Sequence, residues 1–386
     1  MEKEFLIPNY YSSFKCKMGK CRVSCCEGWP VTLSLKDYFK IESKECSLEL
    51  REKIDKGIKV NLHPTQEAYA QITHDYFGNC PMRLKNGKCA IHCELGEDGL
   101  AEICKLYPRG IRTTPSNECS CSNSCEAVLE LLVSMDNPIS FIKKKLDFKE
   151  TYEEKRVHLF NTHQKEQEIR LFLIKIMQNR QLSLSNRLVN LGFALNDLEV
   201  TLKLNNVDSI NKFLLNNYNE NYDKFIVDEK HLLEALLSME KMIKMIDEKS
   251  NNVRMYGEMA LNFFSDNDKL LHLYNSSKKE FESKNKKWEI WFEQMLVNHM
   301  FFEQFPFQDR KEGPWEEFIA ISSIYALLRF LSIGCFSNSQ KKEKNIDMWA
   351  ALFRLVEHSS FDKYSAYILK EIHCDTPQKI FSLLRL

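Results

Sequence analysis

Twelve of the fourteen cysteines lie at or before Cys125, and only Cys335 and Cys374 follow. A segment that dense in thiols has few routes to a stable fold. The chain opens Met1-Glu-Lys-Glu-Phe-Leu-Ile-Pro, with acids and no long apolar run, so no secretory signal is expected. The expected location is therefore the cytoplasm, where disulfides do not persist. Metal ligation is the leading use for so many thiols. It would supply the stability that an irregular segment cannot draw from a core, because binding and folding are then one process.

The rest of the chain follows a different pattern. Only Gly192, Gly257, Gly313 and Gly334 interrupt the 276 residues after Gly110, and few breakers over that length predict long helices. Leu232, Leu233, Leu236, Met239, Ile243 and Ile246 fall on one helical face, with Asp228 as N-cap. Trp288, Trp291, Phe292, Met295, His299 and Phe302 mark another face. Further helices are expected near 126–135, 165–179, 184–204, 255–264, 315–333, 346–358 and 362–373, with no run of alternating strands after residue 130. The N-terminal part is expected to hold short helices at about 34–56 and 97–106, a strand near 69–73, and many loops. The predicted fold is mainly α: an irregular Cys-rich metal-binding module (1–130), then an α-helical domain (131–386).

Charge narrows the function. Lys+Arg and Asp+Glu are both 54 in 386 residues, and zero net charge argues against a dedicated nucleic-acid binder. The most apolar stretch, Phe318 to Phe336, is broken by Arg329. Its charge-free part, Phe318 to Leu328, is too short to span a bilayer and is expected to be a buried helix.

The first cysteine cluster is Cys16-Lys-Met-Gly-Lys-Cys21-Arg-Val-Ser-Cys25-Cys26-Glu-Gly-Trp29. Cys80, Cys89, Cys93 and Cys104 follow at wider spacing, and Cys119, Cys121 and Cys125 close the series. Structural zinc uses paired C-x2-4-C knuckles, which C-x4-C-x3-CC does not resemble. An iron–sulfur cluster tolerates looser spacing, because each thiolate binds a different iron. Iron–sulfur is favoured, with zinc and unmetallated or redox thiols as alternatives. The radical C-x3-C-x2-C arrangement, G-x-G-x-x-G, the P-loop, H-E-x-x-H and the nucleophile elbow are all absent.

The order of motifs carries a family resemblance. Tyr11-Ser-Ser-Phe14-Lys-Cys16, Cys21 and Cys25-Cys26-Glu-Gly-Trp29 are followed by Cys80-Pro-Met, Gly87-Lys-Cys89-Ala-Ile and Leu95-Gly96-Glu97. Cys104-Lys-Leu-Tyr107-Pro108-Arg109 and Ser124-Cys125-Glu126-Ala127 complete the series. Over about residues 5–130 this resembles the flagellin lysine-N-methylase family, part of a broader cysteine-rich group regarded as zinc- or iron-chelating. The resemblance implies methyl transfer from S-adenosylmethionine to lysine side chains of flagellin, and a [4Fe–4S] cluster. It implies as metal-site cysteines Cys16, Cys21, Cys25, Cys26, Cys80, Cys89, Cys104 and Cys125. Eight thiols exceed the four one cluster needs, so either some are structural or two metals bind. Cys46, Cys93, Cys119 and Cys121 are additional to that pattern, and a ligand role for Cys119 or Cys121 stays open.

Methyl transfer to lysine needs the neutral ε-amine, reached by desolvation or a nearby positive charge. The cluster either takes part in the transfer or only holds the fold. Arg109 is read as a neighbour of the cluster or of a ligand carboxylate, or as a surface ion-pair partner. The aromatic helix Trp288–Phe305 is read as core rather than a sulfonium pocket, and His299 as a satisfied core histidine. His92, between Cys89 and Cys93, is a weak metal-ligand candidate, and His63 and His74 have no evident context. Lys341-Lys-Glu-Lys344 reads as a solvated loop. No general base or cofactor pocket is assigned. The rival functions are a non-enzymatic metal-binding interaction or assembly protein and a thiol redox sensor.

Overall fold

A computed structural model describes the chain except for residues 1, 23, 28–30, 76–77, 149–159, 224–226, 247–250, 267–268, 309–312, 337–341 and 360. Gly28, Trp29 and Lys341 of the motifs above thus lie outside the described residues.

The N-terminal third begins with strand β1 (Lys3–Pro8), and β2 (Val31–Leu33) leads into helices α1 (Leu35–Glu42) and α2 (Leu48–Gly57). Two serines define these helices: Ser34 accepts from Asp37 N at 3.1 Å, and Ser47 from Leu50 N at 3.2 Å. Side-chain oxygens at these positions satisfy amides that the first turn leaves unpaired. The helical stretch expected at about 34–56 is two helices, because Ser47 caps a new start. Strands β3 (Ile58–Val60) and β4 (Ala70–Ile72) join β2 in an antiparallel sheet of order β2-β4-β3, which confirms the strand expected near 69–73. Short helices α3 (Ala90–Leu95) and α4 (Glu102–Leu106) follow, then the hairpin β5 (Arg109–Arg112) and β6 (Glu118–Cys121) and helix α5 (Glu126–Ser134).

Among the described residues one strand, β7 (Phe141–Leu146), follows residue 130, inside the span expected to be an α-helical domain. It pairs antiparallel with β1, which pairs parallel with β6, giving the sheet β5-β6-β1-β7. β7 is lysine-rich on an edge, so its sequence lacks apolar alternation, and its partner lies more than 130 residues away. Phe5 and Ile7 of β1 point inward and are buried.

Eleven helices follow among the described residues: α6 (Glu166–Met177), α7 (Leu184–Lys203), α8 (Val207–Leu214), α9 (Glu229–Lys244), α10 (Asn251–Phe263) and α11 (Leu270–Lys284), then α12 (Trp288–Phe302), α13 (Pro314–Phe336), α14 (Lys342–Glu357), α15 (Phe361–Glu371) and α16 (Pro377–Leu383). Asp228 caps α9 as expected, accepting from Lys230 N at 2.6 Å. α13 is long and apolar enough by composition to cross a membrane, yet it is buried at the centre of the helical assembly. Buried cations tie the assembly together. Arg329 stacks on Trp288 at 3.9 Å and bonds Glu282 at 2.5 Å. Arg187 and Arg180 both bond the buried Glu293 carboxylate.

The hydrophobic residues form two cores. The larger gathers the helices from α5 onward together with Phe5, Ile7, Tyr10, Tyr11, Phe14, Cys119 and Cys121. The smaller lies within residues 31–101 and holds Leu33, Ile41, Ile54, Ile72, Cys80, Met82 and Ile91. Residues 1–130 thus contribute to both cores.

Candidate functional site

Loops carry the cysteines to the seam between the two cores. Cys16 and Cys21 bracket a tight turn at Gly19, φ +85°, and Cys80 and Cys89 bracket another at Gly87, φ +81°. The two turns touch: a Cβ at Gly19 would lie 2.6 Å from Gly87 O. Only glycine combines this backbone with so close an approach. The first loop is pinned to α5 by the buried Glu126 carboxylate, which accepts from Lys17 Nζ at 2.5 Å, Arg22 N at 2.7 Å and Arg22 Nη1 at 3.2 Å. Arg22 Nε also bonds Asp347 of α14 at 2.8 Å. The second cysteine run is joined to Cys26, whose carbonyl accepts from Cys80 N at 2.8 Å.

All eight cysteines implied by the resemblance fall into this neighbourhood, none of them in a disulfide. Cys16, Cys21 and Cys125 are mutual electrostatic neighbours. Cys26 likewise neighbours Cys80, Cys89 and Cys104. Cys25 stands between them, near Cys26, Cys104 and Cys125. Hydrogen bonds from Cys25 and Cys80 hold Cys26 well below the usual thiol range and push both donors above it. Burial pushes Cys125 up to about 11 and Cys21 up to about 12.

Among the described residues, no three His, Cys, Asp or Glu side chains converge closely enough to hold a single metal ion. The ligands of an iron–sulfur cage are spread over several irons and stand farther apart. The donor chemistry suits such a group: soft thiols, without disulfides, whose burial disfavours a free thiolate. One orphan donor points the same way. His74 Nε2 is buried with no hydrogen-bond partner among the described residues, and His74 is an electrostatic neighbour of Cys26.

Of the additional cysteines, Cys93 is an electrostatic neighbour of Cys89 and Cys121 of Cys125. Cys119 and Cys121 are buried in the larger core, where the Cys119 thiol donates to Tyr11 Oη at 3.2 Å. Cys46 is half-buried beside the smaller core, and Cys93 is exposed. The Arg109 guanidinium lies 5.1 Å from the Phe14 ring centre and neighbours Cys119 and Cys121. His92 sits in α3, where no group of described residues forms a single-ion site. α12 is core, as read: Phe292, Met295 and Leu296 are buried.

A buried polar chain, missed in the sequence, crosses the same seam. Tyr107 Oη and Ser124 Oγ share a hydrogen bond of 2.9 Å, and Ser124 Oγ lies 2.8 Å from His358 Nε2. Ser122 Oγ lies 2.5 Å from Ser124 Oγ and donates to Glu357 Oε2 at 2.5 Å. His299 Nδ1 lies 3.0 Å from Glu357 Oε1, so the histidine read as satisfied core has a buried carboxylate as its partner. Arg354 donates to Glu27 O at 2.8 Å and to Ser124 O at 3.4 Å. Tyr107 is itself an electrostatic neighbour of Cys125 and Cys25. Burial lowers the pKa of His358, opposed by Glu357 and reinforced by Arg354, which keeps the ring neutral near pH 7. The available signal was Cys121-Ser-Asn-Ser-Cys125, a short polar run whose first four residues are buried.

The seam thus joins the N-terminal segment, through Tyr107, Ser122 and Ser124, to a neutral histidine and a buried carboxylate, a set that can move a proton. A stretch of 110 residues is 27% identical to the lysine-N-methylase of Salmonella typhimurium, covering 28% of this chain and 26% of that protein. The lysine-N-methylase of Salmonella choleraesuis matches equally. The chain thus spans about a quarter of the length of these curated relatives. The flagellar biosynthetic protein FliU of Salmonella muenchen is 26% identical over 144 residues, covering 36% of this chain and 82% of that protein. No solved structure matches the chain. The profile of the FliB lysine N-methylase C-terminal domain matches residues 170–383, more than half the chain and the part that supplies Glu293, His299, Glu357 and His358. The chain therefore belongs to the FliB lysine N-methylase family.

Proposed function

We propose that this protein is a cytoplasmic lysine N-methyltransferase that transfers methyl groups from S-adenosylmethionine to lysines of flagellin, using a cysteine module that holds an iron–sulfur cluster. The observation that carries this reading is the seam: Ser124 and Ser122, between Cys121 and Cys125 of the N-terminal segment, hydrogen-bond His358 and Glu357 from the region that matches the lysine N-methylase profile. The flagellar name borne by one relative supports a flagellar substrate.

The chemistry sets the roles. A lysine ammonium must lose a proton before its lone pair can attack the methyl carbon. As the N–C bond forms, the C–S bond of the sulfonium breaks, and its electron pair leaves with sulfur. His358, neutral because it is buried, is the group placed to take the proton. Ser124 and Tyr107 orient its Nε2, while Glu357 holds Ser122 and His299. An iron–sulfur cluster bound to the thiolates would supply a fixed cross-link and local charge at this seam. Cys16, Cys21, Cys25, Cys26, Cys80, Cys89, Cys104 and Cys125 are the residues that would hold it.

The test is direct. Protein purified without oxygen is incubated with flagellin and methyl-labelled S-adenosylmethionine, and the flagellin lysines are read by mass spectrometry. Label on lysine side chains is the expected result. A colour-bearing, folded protein that leaves flagellin unlabelled overturns the reading.

A further inference from the structure

We infer that Glu357 is a positioning residue for His358: acting through the hydroxyls of Ser122 and Ser124, it fixes the hydrogen of the neutral imidazole on Nε2 and makes Nδ1 the basic atom of the ring. The tautomer follows from the fold alone. Its bearing on catalysis rests on the proposed reading that His358 takes the lysine proton.

The hydrogens can be counted along one string. The Glu357 side chain is buried, and both of its oxygens are engaged. Oε2 accepts from Ser122 Oγ at 2.5 Å, and Oε1 lies 3.0 Å from His299 Nδ1. A serine hydroxyl has one hydrogen and two acceptor lone pairs. Ser122 commits its hydrogen to Glu357, so toward its other neighbours it can only accept. Both of those neighbours belong to Ser124: the amide N at 3.1 Å and Oγ at 2.5 Å. The Ser124 hydroxyl is therefore the donor of that pair, and its single hydrogen is also committed. Its two remaining contacts, Tyr107 Oη at 2.9 Å and His358 Nε2 at 2.8 Å, must both donate to it. Nε2 of His358 thus carries the hydrogen. In the neutral ring the lone pair is then on Nδ1, the atom that gains the lysine proton. The same carboxylate sets the second histidine directly, because it accepts only: Nδ1 of His299 is the nitrogen that bears hydrogen.

The frame holds the string in register. Ser122 N donates to Pro108 O at 2.8 Å, Asn123 Nδ2 to Met295 O at 2.8 Å, and Arg354 Nη2 to Ser124 O at 3.4 Å. Ser122 and Ser124 are buried, so solvent does not compete for their hydroxyls. Glu357 ends α14 and His358 follows it directly, so both ends of the string hang from adjacent residues. A polar seam that only had to satisfy its atoms would need no direction along the string. The acceptor-only carboxylate imposes one.

The test reads the tautomer rather than turnover. The full chain, purified without oxygen and isotopically labelled at the histidine ring nitrogens, is examined by nitrogen NMR near pH 8, above the depressed pKa of His358. His358→Gln and His299→Gln identify their signals among those of the ten histidines. The wild type should carry hydrogen on Nε2 of His358 and on Nδ1 of His299. Glu357→Gln is isosteric, but its amide accepts at one atom and donates at the other. It cannot accept from both arms, so at least one ring should invert: His299, or His358 at the end of the reversed string. Ser122→Ala cuts only the longer arm and lets the Ser124 hydroxyl turn to His358. Part of the His358 signal should then move to the Nδ1–H form while His299 stays as in wild type. In a methylation assay Ser122→Ala should lower kcat and leave KM unchanged. A wild-type His358 with its hydrogen on Nδ1 overturns the inference, and that arm needs no variant to fold. So do signals of both rings that are the same in wild type, Glu357→Gln and Ser122→Ala. A folded Ser122→Ala protein with wild-type kcat overturns the positioning role. The assigned tautomers in a protein that does not label flagellin uphold the hydrogen assignment and overturn only the enzymatic reading.

Discussion

The two cores show opposite ways of making a fold hold. The larger buries Trp349, Phe292, Phe318, Phe330 and Phe353 and adds buried ion pairs, such as Arg170 with Glu118 at 2.7 Å. Among the described residues the buried members of the smaller include no aromatic side chain, and Cys80 is one of those members. A unit confined to residues 31–101 is near the size at which apolar burial alone gives only marginal stability. On the proposed reading, metal binding at the thiols supplies the stability that a larger apolar core would otherwise give.

Removing metal should separate the regions most. Structural metal sites contribute on the order of 10 kcal/mol. Chelation under reducing conditions should abolish amide-exchange protection in α1, α2 and β2–β4 while α7, α12 and α13 stay protected. Equal loss in both regions would erase the distinction between them.

The larger core should respond instead to lost volume. Trp349→Ala should cost about 3–5 kcal/mol in denaturant unfolding and leave metal content unchanged. Glu118→Ala, which strands Arg170 in the interior, should cost about 3–5 kcal/mol by the same measurement. Either variant losing metal before losing helix would tie the two cores more tightly than the packing indicates.

At the seam, His358→Gln should lower kcat by about 10²–10⁴, the range typical of a lost general base, while circular dichroism and metal content stay at wild-type values. Its pH profile should carry the same signature. The folded pKa of His358 lies below the unfolded value of about 6.5. As pH falls through about 6.5 the unfolded chain takes the proton first, so stability declines until the folded ring is also charged. Activity should fall on the same acidic side. In His358→Gln the His358 part of that stability slope should vanish, the smallest of these effects.

Sequence reading captured the regions unevenly. Helices such as α9 and α12 were legible because their apolar residues recur at helical spacing, and Asp228 announced a start. The gathering of the cysteines was legible because thiols at high local density have few uses. The β1–β7 pairing was not, since the Phe-Ile-Lys-Lys-Lys-Leu strand carries no apolar alternation and its partner is remote. The Tyr107–Ser124–His358 chain was not, because its members are ordinary residues until contacts across 234 positions bring Ser124 and His358 together. His74 also gave no signal on its own, and only its buried, unpartnered nitrogen marks it.

The most direct measurement is labelled methyl transfer to flagellin lysines by the metal-loaded protein, run beside His358→Gln of equal metal content. The account predicts lysine labelling by the wild type and near-complete loss in the variant. Equal labelling by both, or none by a fully loaded wild type, would contradict it.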